Sequence, residues 1–154
     1  MSTELIETWR INNRINLYLL EAVPEEHLSD ALTSKGRRVG ERFAHINNVR
    51  LMWLKQALPE ALAETIKVEK DAANDKNLLR ESLKKSADAV ARLIERAAAS
   101  GGRVKGFKPH ATAFVAYLSA HEAHHRSQAI LALKQSAHPI DKKISFGIWE
   151  YGVR

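Results

Sequence analysis

The amino-acid sequence predicts an all-α protein, an antiparallel four-helix bundle with one long connection and a short packed C-terminal tail. Apolar residues recur every three or four positions in four long segments, which is the pattern of an amphipathic helix. No segment alternates apolar and polar residues over the length of a strand. We therefore expect residues 1–154 to form a single domain of packed helices.

Proline and glycine mark the ends of these segments. Pro24 and Pro59 end the first and second, because proline lacks the N–H group that a helix interior needs. The pair Gly101 and Gly102 ends the third, and Pro109 suits the first position of the fourth. The four helices are accordingly expected over residues 3–21, 39–57, 77–100 and 109–136.

Two further segments complete the predicted architecture. Residues 64–76 are charged and poor in apolar side chains, which indicates the long connection. The tail, residues 141–154, contains the large apolar side chains Ile144, Phe146, Ile148, Trp149 and Tyr151. This much apolar surface is expected to pack onto the helices or onto a second subunit.

Composition limits the available chemistry. The chain of 154 residues is 45% hydrophobic and 27% charged and has no cysteine, so histidine or carboxylate must hold any metal. No apolar run reaches the roughly 18 residues of a membrane-spanning helix. The N-terminus lacks the basic region and apolar core of a signal peptide. We therefore expect a cytoplasmic protein with no membrane partner.

The net charge of +6 is partly concentrated in two basic groups. Lys35, Arg37, Arg38 and Arg42 form the first, and Arg103, Lys105 and Lys108 form the second. Nucleic acid is not the expected partner, because no aromatic residues are interleaved as a stacking platform would require. A solvated surface is the simpler interpretation. The alternative is that these groups attract an anionic substrate or thiol toward a pocket.

The sequence His-Glu-Ala-His-His at residues 121–125 carries the main functional signal. Residues four apart in a helix lie on the same side, about 40° apart around the axis. His121 and His125 therefore point the same way, on the apolar face of the fourth helix, and can share one metal ion. A third ligand must come from elsewhere. His45, at the edge of the apolar stripe of the second helix, is the best-placed remaining histidine.

Other polar residues near this motif are candidates to surround the ligands or to line a substrate pocket. Glu122 lies about 100° from His121 and is expected to point toward a neighbouring helix. His124 lies about 60° from His121, which does not suit the same ion. Asn13 and Asn16 interrupt the apolar stripe of the first helix and are expected to line a cavity near the metal.

Three segments of the sequence resemble the DinB-like family of metal-binding four-helix bundles, whose superfamily includes thiol-dependent transferases. They are Asn13-Arg-Ile-Asn, His45-Ile-Asn-Asn-Val-Arg-Leu-Met-Trp and His121-Glu-Ala-His-His-Arg-Ser-Gln-Ala-Ile. The resemblance covers nearly the whole chain, although Ser127 stands where the family often has glycine. It implies that His45, His121 and His125 bind a divalent ion, often nickel, zinc or iron, and that the protein is a homodimer.

These observations predict a metal-dependent enzyme that acts on a small molecule. The resemblance implies either a hydrolase or a transferase that uses a low-molecular-weight thiol. One alternative is a structural or binding protein in which the metal only joins the second and fourth helices. A less favoured one is a zinc peptidase, because residues 121–125 also fit the His-Glu-x-x-His pattern, with Glu122 as general base. No predicted strand precedes the motif to bind a peptide.

Overall fold

The computed structural model describes residues 2–154, and within that range the protein is all-helical, with no strand. The long helices are α1 (Ser2–Ala22), α2 (Val39–Ala57), α3 (Lys76–Ala99) and α4 (Ala111–Gln135). A short helix, α5 (Lys142–Gly147), lies in the tail. The 3₁₀ turns are Glu25–Ser29, Pro59–Glu64, Lys70–Ala72 and Tyr151–Val153. The predicted bounds of α2 match the observed ones, and the others differ by one or two residues.

The start of α4 differs from the prediction that Pro109 is its first residue. The helix begins at Ala111 and His110 is its N-cap, with Nδ1 accepting a hydrogen bond from the Ala113 N–H at 3.2 Å. His110 has an extended backbone and forms an isolated bridge with Arg103. An imidazole thus supplies the acceptor that a first-turn N–H group requires. Pro109 precedes the cap.

α1 and α2 each pack against both α3 and α4. α1 runs antiparallel to α3, since the Trp9 Nε1 donates to the Ala87 carbonyl whereas Arg80, early in α3, bonds to Glu21. α2 runs antiparallel to α4, because the Trp53 ring, late in α2, lies 5.4 Å from that of Phe114, early in α4.

The core consists of two apolar clusters. One contains Trp9, Leu54, Ile94 and Phe114. The other contains Leu20, Phe43, Leu79 and Leu133. Residues from the first half of α1 and of α4 share one cluster, and residues from their last turns share the other, so these two helices are parallel. The same comparison shows that α2 is parallel to α3.

The long connection explains the parallel pairs. Residues 58–75 carry the chain back along α2, so that α3 starts beside the start of α2. Parallel neighbours need such a return segment, whereas antiparallel neighbours can be joined by a short loop. The antiparallel arrangement expected from the sequence therefore holds for α1 with α3 and for α2 with α4.

The tail packs onto α1 through part of its length. The Arg154 guanidinium lies 3.7 Å from the centre of the Tyr18 ring, and its Nε donates to the Gly147 carbonyl. The side chains of Phe146 and Trp149 remain 71% and 75% exposed. Across residues 2–154, no helix combines the length and the apolar character needed to cross a membrane.

Candidate metal centre

Three histidines meet where α2 packs against α4. His45, His121 and His125 each offer a ring nitrogen, and these atoms all lie within 4.8 Å of one another. The ring centre of His45 is 5.3 Å from that of His121 and 4.5 Å from that of His125. The two α4 rings are 4.6 Å apart. The four-residue spacing on α4 turns both of its histidines toward α2, where His45 lies opposite them.

The donor set suits a divalent metal. His121 Nδ1 is buried and has no hydrogen-bond partner in the part of the chain that the structure describes. Burial, followed by the positive charge of Arg37, lowers the pKa of His45 to about 4. Burial and the neighbouring histidines lower the pKa of His125 to about 3. Neutral imidazoles keep the lone pairs that a metal ion needs, so this group could bind one.

His45 also borders an open cavity of about 570 Å³. The cavity lies between the first half of α2 and the long connection, and Arg37, Glu41 and Lys70 contribute charged side chains to its wall. Of the three histidines, His45 is the one that contributes to the cavity wall. This access distinguishes the three-histidine group from one closed inside a core.

Glu122 lies in a polar layer between the two apolar clusters, together with Asn12, Asn16, Arg50, Ser86 and Arg126. Its carboxylate is fully buried, and Oε1 accepts from Arg50 Nε at 2.7 Å. Oε2 accepts from Arg50 Nη2 and from the amides of Asn12 and Asn16, at 2.9, 2.6 and 2.7 Å. Burial alone would raise the pKa of Glu122, but the charge and hydrogen bonds of Arg50, together with Asn16 and Arg126, outweigh it and hold that pKa below its usual value.

The asparagine pair of this layer is Asn12 and Asn16. Arg126 Nη1 donates to both side-chain oxygens, at 3.1 and 2.6 Å. Asn16 therefore bonds to Glu122 and Arg126, and no hydrogen bond joins it to the three histidines. Asn13 is buried as well, but its Oδ1 has no hydrogen-bond partner among residues 2–154. Sequence reasoning missed Asn12, although its four-residue spacing from Asn16 is the same signal that links His121 to His125.

Two more residues lie beside the histidine group. His124 is exposed, with its ring 4.9 Å from that of His125, and its nitrogens are not among those that converge. Arg42, which sequence reasoning placed only in a basic group, is buried, with Nη1 3.5 Å from His125 Nδ1. Its position three residues before His45 on α2 is the signal that could have identified it.

A second group, His27, Asp30 and His138, also brings three potential ligand atoms close together. The two imidazole rings are stacked 3.7 Å apart with an interplanar angle of 5°, and His138 Nδ1 is 2.7 Å from Asp30 Oδ2. Lone pairs of stacked rings lie in two separate parallel planes. The two rings therefore cannot both direct a lone pair at one ion, whereas the rings of His45, His121 and His125 are inclined to one another by 57–72°.

The model of the DinB family matches residues 1–140. The chain belongs to the DinB family. The match includes the three histidines and the whole polar layer, and it confirms the resemblance seen in the sequence. No curated protein and no solved structure matches this DinB chain significantly.

Proposed function

We propose that this DinB protein is a metal-dependent enzyme acting on a small molecule, either as a hydrolase or as a thiol-dependent transferase. The observation that carries the proposal is the convergence of His45, His121 and His125 beside an open cavity. We also take the four long helices to be the four-helix bundle of the family, a fold whose metal and ligand sites lie between facing helices.

His45, His121 and His125 would hold the ion, and nickel, zinc and iron all accept imidazole nitrogen. Three protein ligands leave a position for water or substrate, where a bound metal would act as a Lewis acid or lower the pKa of a water or thiol. The chain itself positions the ligands. Arg50 and His45 are both on α2, and Glu122 is next to His121 on α4, so the buried ion pair holds the two helices at one spacing.

A metal that only joins α2 to α4 is the alternative function. The open cavity at His45 favours the enzyme, because structural sites are usually closed by protein ligands. Peptidase activity has less support, since the Glu122 carboxylate is fully occupied by Arg50, Asn12 and Asn16. Residues 2–154 also offer no strand that could bind a peptide. The exposed tail residues Phe146 and Trp149 support a further proposal, that the protein is a homodimer.

Metal analysis of the purified full chain tests the proposal. After separate loading with Ni²⁺, Zn²⁺ and Fe²⁺, we expect about one ion per chain, and His45→Ala, His121→Ala and His125→Ala should each lose it because two imidazoles chelate poorly. His124→Ala and His138→Ala are the matched controls and should retain it. Full occupancy in His45→Ala, or equal loss in His138→Ala, would contradict this ligand set.

Activity is tested next, with panels of ester substrates and of thiol acceptors. Turnover should require the loaded metal and disappear in His121→Ala. A loaded protein with no open coordination position and no turnover on either panel would instead support the structural alternative. Cleavage of an unstructured protein that is abolished in Glu122→Gln would restore the peptidase interpretation.

A further inference from the structure

Arg42 is a buried cation without a carboxylate partner in the part of the chain that the structure describes. Its residue is 7% exposed, and its Nε has no hydrogen-bond partner. The adjacent acid, Glu41, acts on Arg42 through its charge but forms no ion pair with it. Its carboxylate accepts from the Arg38 N–H at 2.8 Å and lies 3.8 Å from Lys70 Nζ. Arginine remains protonated in proteins, and a buried charge that no carboxylate contacts is costly. An anion beside Arg42 would remove that cost.

Within residues 2–154, the one side-chain hydrogen-bond contact of Arg42 is with His125 Nδ1, and it is not compatible with metal binding by His125. A guanidinium can only donate, so the contact requires a lone pair on Nδ1. If His125 bound a metal through Nε2, its Nδ1 would carry the proton, and if it bound through Nδ1, that lone pair would be used. In either case the Arg42 guanidinium loses this contact and has free donors beside the ligand group.

A second cation, Arg37, lies on the cavity side of the histidine group, whereas Arg42 lies beside His125 and does not line the cavity. Arg37 lines the cavity that His45 borders, and its positive charge contributes to lowering the pKa of both His45 and His121. Arg37 has no ion pair within residues 2–154. Glu69, another acid of the cavity wall, is paired with Lys67 at 2.8 Å. The wall carries two acids and two cations, and Arg37 is the one of the four without an ion pair in the described part of the chain. Its charge reaches His45 and His121, which favours an anion at this end of the cavity.

The second basic group lies elsewhere and provides a control. Arg103 lies between the end of α3 and the start of α4, and its Nη1 donates to the Lys108 carbonyl at 3.1 Å. Neither Arg103 nor Lys108 lines the cavity beside His45. Of the two basic groups, the one containing Arg37 and Arg42 is thus the one that the fold brings to the histidines.

We propose that Arg42, assisted by Arg37, binds a carboxylate or phosphate group of the substrate, so that the enzyme selects anionic small molecules. The inference rests on the proposed function, because it places that anion next to the metal ligands. A guanidinium presents two parallel N–H donors that match two oxygens of either group. Charge-assisted hydrogen bonds of this kind are stronger than those between neutral groups.

NMR titration of the full chain, uniformly labelled with ¹⁵N and with one equivalent of Zn²⁺, tests the inference. Propionate and methyl phosphate are the anionic probes, and propionamide is the neutral match for propionate. We expect at least one anion to move the Arg42 Nε–Hε signal saturably, and propionamide to bind at least about tenfold more weakly than propionate where propionate binds. Whichever of propionate and methyl phosphate binds with the lower Kd shows whether the site prefers a carboxylate or a phosphate group. Arg42→Gln should abolish the binding seen through α2 backbone signals and keep its zinc, and Arg103→Gln should change neither.

The outcomes separate the inference from the proposed function. If the chain binds zinc and neither anion moves the Arg42 signal, or if Arg42→Gln binds both as tightly as the parent, the inference is overturned and the metal site stands. If the chain binds no zinc, the proposed function fails, and the same titration of metal-free protein decides whether Arg42 binds anions. Arg42→Lys covers the case in which the glutamine variant does not fold. It keeps the charge but loses the paired donors, and unchanged affinity in it would overturn the paired recognition.

Discussion

At the scale of single residues, the most consequential contact is the ion pair between Arg50 and Glu122. Both side chains are fully buried, and each has further hydrogen bonds within the polar layer. Removing one member would leave the other charged, desolvated and without its main partner. The pair differs in this respect from the exposed pairs of the surface, such as Arg92 with Glu64.

We predict that Arg50→Ala lowers the free energy of unfolding by about 3–5 kcal/mol, measured by urea denaturation. Arg92→Ala is the matched control, because its partner Glu64 is exposed, and it should cost less than about 1 kcal/mol. Replacing both members of the buried pair, as Arg50→Met with Glu122→Leu, should recover much of the loss. Equal destabilisation by the two alanine variants would contradict the role given to the buried pair.

The two buried asparagines Asn13 and Asn16 allow a second comparison. Asn16→Ala removes the amide that donates to Glu122 and the oxygen that accepts from Arg126, so we expect a loss of about 1–3 kcal/mol in stability. Asn13→Ala should cost less, because Asn13 Oδ1 has no partner to lose. Thermal unfolding of the two variants side by side measures the difference, and a larger loss for Asn13→Ala would show that the network has been misassigned.

At the scale of helices and connections, the first turn of α2 is tightly packed against the long connection. A Cβ atom added at Gly40 would lie 1.9 Å from the Ala73 carbonyl oxygen, which is backbone and cannot rotate away. The first turn of α2 and the end of the connection therefore need glycine at this contact. The cavity beside His45 lies between the same two elements.

We predict that Gly40→Ala destabilises the protein by about 1–3 kcal/mol or more, because the connection must move away from α2. Gly152→Ala, where nothing lies within 4 Å of the added atom, should change stability by less than about 0.5 kcal/mol. Chemical denaturation measures both. A neutral Gly40→Ala would mean that the connection adjusts freely and does not rest on α2.

Apolar periodicity was sufficient to locate the helices, because each long helix buries one face and ends near proline or glycine. The cap of α4 escaped prediction, since histidine is not among the preferred N-cap residues and Pro109 is a good first residue on sequence alone. The buried positions of Asn12 and Arg42 were not predicted for another reason. Whether a polar residue near an apolar stripe points into a buried network depends on which helix lies opposite it.

At the scale of the whole molecule, the pairing of helices decides what the sequence could and could not indicate. The pattern of each helix shows which face is buried, but it does not show whether α3 lies parallel or antiparallel to α2. The long connection was predicted, and its length permits the parallel arrangement that the structure has. His45 could be placed opposite His121 because α2 and α4 are direct neighbours.

A metal bound between α2 and α4 should stabilise the entire fold, because those helices are far apart in sequence and separate on unfolding. With free metal at about 100 times its Kd, the gain is about 2.7 kcal/mol, or roughly 5–10 °C in Tm for a chain of this size. Calorimetry with and without metal should show this shift in the parent chain and in His138→Ala. It should be absent in His121→Ala, and a shift that persists there would place the ion elsewhere.

The single polar layer also determines the sliding register of α4. A shift of α4 by one turn along its axis, about 5.4 Å, would bring either Leu118 or Arg126 opposite Arg50 in place of Glu122. The first would leave a buried guanidinium facing an aliphatic side chain, and the second would put two like charges together. Either shift would leave a buried charge uncompensated, at a cost of about 3–5 kcal/mol, whereas two purely aliphatic helices would lose only their packing complementarity. His121 and His125 therefore have one position relative to His45 in the folded chain.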